Sequence, residues 1–261
     1  VGGKPLEEFA PAKHLVPMQS LDNTYSPEEL REFVARIRKL AEGRAIHFTI
    51  EPKVDGVAIS LLYENGRLVR AATRGDGRTG EDLTARVRAV PGVPDRLHGD
   101  DAPDVIEVRG ELHVPFAEFA RVNAARAEAG LETFANPRAL AAGLARRVDE
   151  PSPEEARALR LVCFGTGACE PSAALPGRQH ELAARFRSWG LPAPADCRPA
   201  RGAEALMLAV DEAGAARAAW PFPTDGVVVK LDSRALQAAA LALITPGIIV
   251  GGIVGGLFTP T

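Results

Sequence analysis

Residues 46–77 read IHFTIEPKVDGVAISLLYENGRLVRAATRGDG, and the fold turns on how this stretch divides. Ile46 to Lys53, Val57 to Tyr63 and Leu68 to Thr73 alternate or run apolar at strand length. Glu64-Asn65-Gly66 supplies a tight turn, so the second and third runs form a hairpin. Arg74-Gly75-Asp76-Gly77 ends the meander in a glycine loop, which read by itself is simply a hairpin end.

On the N-terminal side, residues 1–25 have mixed polarity and contain Pro5, Pro11 and Pro17, which reads as an extended lead-in. Ser26-Pro27-Glu28-Glu29 then opens a helix. Serine caps, proline suits the first helical position and Glu29 closes a capping box. Leu30, Phe33, Ile37 and Leu40 recur at helical spacing behind it. On the C-terminal side the reading gives a helix from about Glu81, a strand from Val105 to Val114 and a helix begun by Pro115 and ended by Gly130. Leu159 to Phe164 is strand-like, and Gln179 to Trp189 and Ala203 to Ala216 are helical. Val227 to Leu231 is a short buried strand after a Pro-Thr-Asp-Gly turn. Pro192 to Ala205 reads as a surface loop. Strands and helices interleave without strict βαβ alternation, which favours an α+β fold with antiparallel sheets.

The chain has 261 residues, 46% hydrophobic and 25% charged, with a formal net charge of −3. That suits a globular protein with a sizeable core, and neither supports nor excludes a nucleic-acid partner, since a local basic stripe is enough to neutralise phosphates. Cys163, Cys169 and Cys197 form no C-x-x-C pair, so a zinc site is not expected, and an odd, sparse set fits a reducing cytoplasm. The first residue is Val1 and no signal peptide is visible, so a piece of a longer protein is expected. From Ala235 to Thr261 there is no charged residue. That length could span a membrane, but Pro246 and the glycines favour a buried strand-turn segment or an aberrant terminus.

Glu51-Pro52-Lys53-Val54-Asp55-Gly56 carries the chemistry. A lysine at a strand end between carboxylates is either a covalent nucleophile or part of a solvated turn. The rest of the chain weighs on that choice. The segments His14 to Asn23, Glu51 to Gly56, Tyr63 to Gly66 with Thr73 to Gly77 and Gly80 to Asp82, Glu107 to Glu111, Phe134 to Arg138 and Thr224 to Lys230 follow in order. From about Val1 to Gln237 the sequence closely resembles the nucleotidyltransferase domain of bacterial NAD⁺-dependent DNA ligases.

The resemblance implies the nucleotidyltransferase fold shared by DNA ligases and capping enzymes, which is ATP-grasp-like. It also implies an adenylation domain over residues 1–237, and an atypical apolar tail over 238–261. Lys53 would attack the α-phosphate of NAD⁺, release nicotinamide mononucleotide and carry AMP for sealing nicked double-stranded DNA. Lys230 and Arg74 would neutralise the phosphate, and Asp55 and Asp225 would orient the lysine or a Mg²⁺ ion. Glu111 would contact the ribose or adenine, Glu51 would neighbour the adenine, and the backbone at Ser20-Leu21 would line it. Arg138 and Arg146, at the family's eight-residue spacing, would hold DNA or AMP phosphates. No protein partner and no membrane are implied, and the localisation expected is cytoplasmic. His14 and His113, lacking a visible partner, are read as structural rather than as acid–base groups.

Some positions depart from the family. It usually has asparagine where Ala139 stands and serine where Leu144 stands. After Gln237 it continues into a segment with a second functional lysine, whereas Leu241 to Thr261 contains neither lysine nor arginine. The family's small nicotinamide-binding domain and its downstream OB-fold, zinc-finger and helix-hairpin-helix parts have no counterpart in this sequence. The expectation is a fragment or degenerate copy with weak activity by itself. The alternatives are an ATP-dependent nucleotidyltransferase, and an inactive ligase-like binding or membrane-tethered protein.

Overall fold

The computed structural model of the chain describes residues 9–19, 22–146, 155, 157–240 and 247–250. Two antiparallel-dominated sheets stand side by side, and the chain crosses between them in the stretch quoted above. After short strands β1 (Pro11–Lys13) and β2 (Asp22–Thr24) comes helix α1 (Pro27–Leu40). Ser26 Oγ accepts the Glu29 N–H at 3.1 Å, as expected for the cap, while the Glu29 carboxylate reaches back to the Tyr25 N–H at 2.7 Å.

β3 (His47–Val54) then runs through the five-stranded sheet, and β4 (Val57–Glu64) and β5 (Arg67–Thr73) belong to the four-stranded one. Asn65 and Gly66 both have positive φ (49° and 73°), the backbone that a two-residue hairpin needs. Gly56 makes the crossing between sheets. A Cβ there would lie 2.0 Å from the Leu112 carbonyl oxygen, so no other residue fits.

The Glu81 region corrects the sequence reading. β6 (Thr79–Glu81) pairs with β1, and the helix, α2 (Thr84–Arg88), starts only after it. Glu81 is buried and its N–H is held by Thr73 Oγ1 at 2.9 Å, which keeps that backbone extended. β7 (Val105–His113), α3 (Phe116–Glu128) and α4 (Pro137–Arg146) follow. Asn136 caps α4, its Oδ1 accepting the Ala139 N–H at 2.7 Å, with Pro137 at the first helical position. Leu144, one of the departures noted above, is a core residue of this helix.

β8 (Arg160–Glu170) is longer than the sequence suggests. Gly165 and Gly167 mask its second half, and its pairing with β7 includes two register shifts. α5 (Gln179–Ser188) leads to β9 (Arg198–Arg201) and α6 (Gly202–Ala216). The expected loop at Pro192 to Ala205 therefore holds an edge strand against β3, where Pro199 is tolerated, together with the start of a helix. β10 (Thr224–Leu231), α7 (Arg234–Ala240) and β11 (Gly247–Val250) complete the described chain. The sheet orders are β2-β11-β10-β3-β9 and β5-β4-β7-β8. β11, in the stretch set apart as a tail, pairs antiparallel with β10 and parallel with β2, with Gly247 opposite Lys230.

Strand alternation assigns the faces. In β3, Phe48 and Ile50 join Val227, Val229 and Leu231 of β10 in a core covered by Leu30, Phe33 and Ile37 of α1 and Leu206 and Val210 of α6. Thr49, Glu51 and Lys53 therefore face the other way, beside Lys230 and Gly226 of β10. In β7, Ile106, Val108 and Leu112 enter the second core with Ile59, Leu61 and Tyr63 of β4, Leu140 and Leu144 of α4 and Phe186 and Trp189 beyond. Glu107, Arg109 and Glu111 take the opposite face. The two sheets thus bury apolar faces outward against helices and turn polar faces toward a shared cleft.

Candidate active site

Lys53 sits at the end of β3 where the chain leaves one sheet for the other. Its Nζ donates to Asp225 Oδ2 at 2.5 Å. Asp225 lies at the start of β10, where a register shift between Thr224 and Gly226 lets the chain enter the sheet. Its second oxygen, Oδ1, is buried without a hydrogen-bond partner among the described residues. The N–H of Asp55 donates to the Pro223 carbonyl at 2.9 Å, so the two turns carrying Asp55 and Asp225 are tied together. Asp55 Oδ1 accepts from Arg138 at 2.7 Å.

Two residues further into the cleft, Lys230 Nζ donates to Glu51 Oε2 at 2.6 Å and to the Phe164 carbonyl of β8 at 2.8 Å. Gln179, at the start of α5, donates to Glu51 Oε1 at 3.2 Å and to the same carbonyl at 3.3 Å. Glu51 and Lys230 are both largely withdrawn from water, so each needs the other. At the far end of this face Asp232 accepts from Thr49 Oγ1 at 2.9 Å, and its Oδ1 lies 2.6 Å from His180 Nδ1.

The opposite face differs. Burial pushes the Glu111 carboxyl up to about 8, against the pull of Lys53 and Arg138; Asp55 and Asp225 add to the rise. It is therefore protonated at neutral pH and can both donate and accept. Glu107 and Arg109 on the same strand bind the backbone of residues 15–17. His113 is buried, and burial holds its imidazole down near 4; its ring meets the edge of Phe222 at 5.7 Å. His14 Nε2 lies 3.2 Å from the Arg74 carbonyl, and among the described residues neither histidine pairs with a carboxylate.

The structure brings Glu51, Lys53, Asp55, Glu111, Asp225 and Lys230 to one place, with Arg138 at its edge. Arg74 is half-buried in the β5–β6 turn, and its guanidinium makes no hydrogen bond or ion pair among the described residues. Arg146 is set apart from Lys53's partners: its Nε donates to the buried Glu81 at 2.9 Å. Ser20 and Leu21 lie outside the described residues. Sequence reasoning missed Gln179, Phe164, Glu107 and Arg109 as site neighbours. The last two carried a usable signal, polar residues alternating with Ile106 and Val108, whereas nothing marked Gln179 at the head of an ordinary helix. Among the described residues there is no cluster of three or more metal-ligating side chains, and no helix long and apolar enough to cross a membrane.

The family model for the NAD-dependent DNA ligase adenylation domain matches residues 6–241. A DNA ligase of Azorhizobium caulinodans is 47% identical over 91% of this chain and 32% of its own length. One of Phenylobacterium zucineum is 46% identical over 89% of this chain and 33% of its own. The chain thus spans about a third of the length of the curated relatives it matches. A solved archaeal ATP-dependent RNA ligase aligns with 90% of this chain and 48% of its own at 14% identity, with a TM-score of 0.47. On the family match and these relatives, the chain belongs to the family of NAD-dependent DNA ligase adenylation domains.

Proposed function

We propose that the cleft holds the adenylate half of NAD⁺ and that Lys53 is the nucleophile that takes AMP from it. The observation that carries this reading is the Lys53–Asp225 contact in a cleft where Lys230, the next cation along the same face, is paired with Glu51. Lys53 Nζ, as the free amine, forms an N–P bond to the α-phosphorus. The bond from that phosphorus to the bridging oxygen breaks, and nicotinamide mononucleotide leaves with the electron pair on its phosphate. Asp225 Oδ2, already in contact with Nζ, is the group placed to accept the amine proton. Lys230 and Arg74 supply positive charge where negative charge develops on the phosphoryl oxygens. Protonated Glu111 and paired Glu51 offer hydrogen-bonding groups to the ribose and the base, together with the backbone at Ser20-Leu21.

A magnesium ion takes one or two carboxylates plus substrate phosphate. Asp225, whose Oδ1 has no hydrogen-bond partner among the described residues, and Asp55 are the residues that would hold it. Bound there, it would add charge against the phosphate. In this reading residues 1–237 form the adenylation unit of a cytoplasmic ligase, which passes AMP to the 5′-phosphate of nicked double-stranded DNA. Arg138 at the cleft edge is the nearer phosphate contact, and Arg146 a more distant one.

The experiment is incubation of the chain with labelled NAD⁺ or labelled ATP in Mg²⁺, followed by acid cleavage of the label. The reading expects transfer from NAD⁺, slow in this chain, with loss of all label in Lys53→Ala. Label from ATP with none from NAD⁺ would reject the donor, and label on Lys53→Ala would reject the nucleophile.

A further inference from the structure

Four groups close a ring of hydrogen bonds at the floor of the cleft. Lys230 Nζ and Gln179 Nε2 are the donors, the Glu51 carboxylate and the Phe164 carbonyl are the acceptors, and each donor reaches both acceptors. The ring joins β3 and β10 of the five-stranded sheet to β8 of the four-stranded one. One donor on each acceptor is enough to offset burial, and here each has two.

The two donors differ. Lys230 makes the short bonds, 2.6 Å to Glu51 and 2.8 Å to Phe164, and its side chain is 14% exposed. An ammonium has three N–H groups, so one is uncommitted among the described residues. Gln179 makes the longer bonds, 3.2 and 3.3 Å, and is only 4% exposed. It is also tied at its other polar atoms. Its Oε1 accepts from Gln237 Nε2 at 3.3 Å, and its backbone N–H donates to the Asp232 carbonyl at 2.7 Å. Turning the amide over would set its oxygen against a carboxylate and a carbonyl, so the partners fix its orientation. Gln237 Nε2 donates in turn to the Leu231 carbonyl at 2.6 Å, which anchors the amide to the strand that carries Lys230. Lys230 is therefore the donor that can move, and Gln179 the one that stays.

We infer that Gln179 is a positioning residue: a standing donor that keeps Glu51 and the Phe164 carbonyl satisfied when Lys230 swings its ammonium from them to a ligand in the cleft. The inference rests on the reading of the cleft as the site that takes AMP, and adds how Lys230 is freed for it. Stripping a buried acceptor of its last donor opposes such a movement. With Gln179 in place neither acceptor is stripped. Without it the ammonium is the sole donor to the Phe164 carbonyl, and Glu51 keeps besides it only the Cys197 thiol, a weak donor 3.9 Å from Oε1. The ammonium then stays where it is.

The test follows the Lys230 ammonium by heteronuclear NMR while AMP is titrated into the wild-type chain, Gln179→Met and Gln179→Glu. Methionine fills nearly the same space without a donor, and glutamate keeps the shape while turning the donor into an acceptor. In the wild type the Lys230 signal should move with AMP occupancy while the Gln179 side-chain amide stays protected from exchange. In Gln179→Met the Lys230 signal should keep its ligand-free position even at saturating AMP, and AMP should bind about ten- to a hundred-fold more weakly. Gln179→Glu should hold the ammonium at least as firmly and bind AMP at least as weakly. A loosened cleft would also weaken AMP, but it would not tether the ammonium. Weaker binding with a Lys230 signal that still moves would therefore overturn the inference, as would an unchanged AMP affinity in either folded variant. Should neither variant fold, the wild-type titration decides: a Lys230 signal that ignores AMP, or a Gln179 amide that exchanges freely once AMP is bound, overturns it. Each of these results leaves the cleft assignment standing. AMP failing to bind the wild type would overturn that assignment and the inference with it.

Discussion

The two faces of the cleft solve the problem of buried polarity differently. On the β3–β10 face each charge has a partner: Lys53 with Asp225, Lys230 with Glu51, Asp232 with His180 and Thr49. On the β7 face Glu111 stays neutral, and Glu107 and Arg109 are committed to a backbone segment. In the proposed function the first face takes the charged, reacting phosphate, because its cations are present and held in place. The second suits a neutral sugar and base, because it offers hydrogen bonds with little net charge. The division of labour proposed for the cleft, phosphate chemistry on one sheet and nucleoside recognition on the other, follows from that contrast.

Removing one partner on the paired face should have the largest effect. Glu51→Ala leaves Lys230 with its ammonium in a mostly dry site, and a broken buried pair costs about 3–5 kcal/mol. Urea unfolding should show that loss, and Glu51→Leu with Lys230→Met should recover most of it. A loss below about 1 kcal/mol would mean the pair is solvated like a surface bridge.

The β7 face is broken by pH instead. Glu111 has a folded value of about 8 against an ordinary 4.5, so its contribution is complete below pH 4.5 and is lost as pH rises through 8. Glu111→Gln should remove that slope and be the more stable protein at pH 9 by up to about 5 kcal/mol. Curves that run parallel from pH 5 to 9 would contradict the neutral carboxyl. His113, two residues along, has the opposite window. Its folded value near 4 lies below the ordinary 6.5, so its contribution is present above pH 6.5 and is lost as pH falls through 4. His113→Phe, which keeps a ring against Phe222, should reduce the acid sensitivity by about 3 kcal/mol at pH 4.

Away from both faces the effects should be small. Ser26→Ala removes the α1 cap and should cost about 1 kcal/mol in thermal unfolding without altering AMP binding. A change in AMP affinity would show that α1 is coupled to the cleft.

Much of this was legible in the sequence. The β3–β4–β5 meander could be read because its alternation and its Asn65-Gly66 turn are local signals, and the paired face because Lys53, Asp55, Asp225 and Lys230 sit in short motifs. What escaped was set by contacts between distant segments. Glu81 looks like a helix start until β1 pairs with its strand. Pro199 looks like loop until β3 supplies a neighbour. Gln179 joins Glu51 across 128 positions, and Glu107 meets Leu15 across 92, and neither distance leaves a periodic trace.

The group that takes AMP can be identified directly. The measurement is peptide mass mapping of the chain after prolonged incubation with NAD⁺ and Mg²⁺. The account predicts a slowly formed AMP adduct confined to the peptide carrying Lys53, abolished in Lys53→Ala and retained in Ser26→Ala. An adduct on any other residue, one that survives Lys53→Ala, or a chain that binds AMP yet accepts none from NAD⁺ would contradict it.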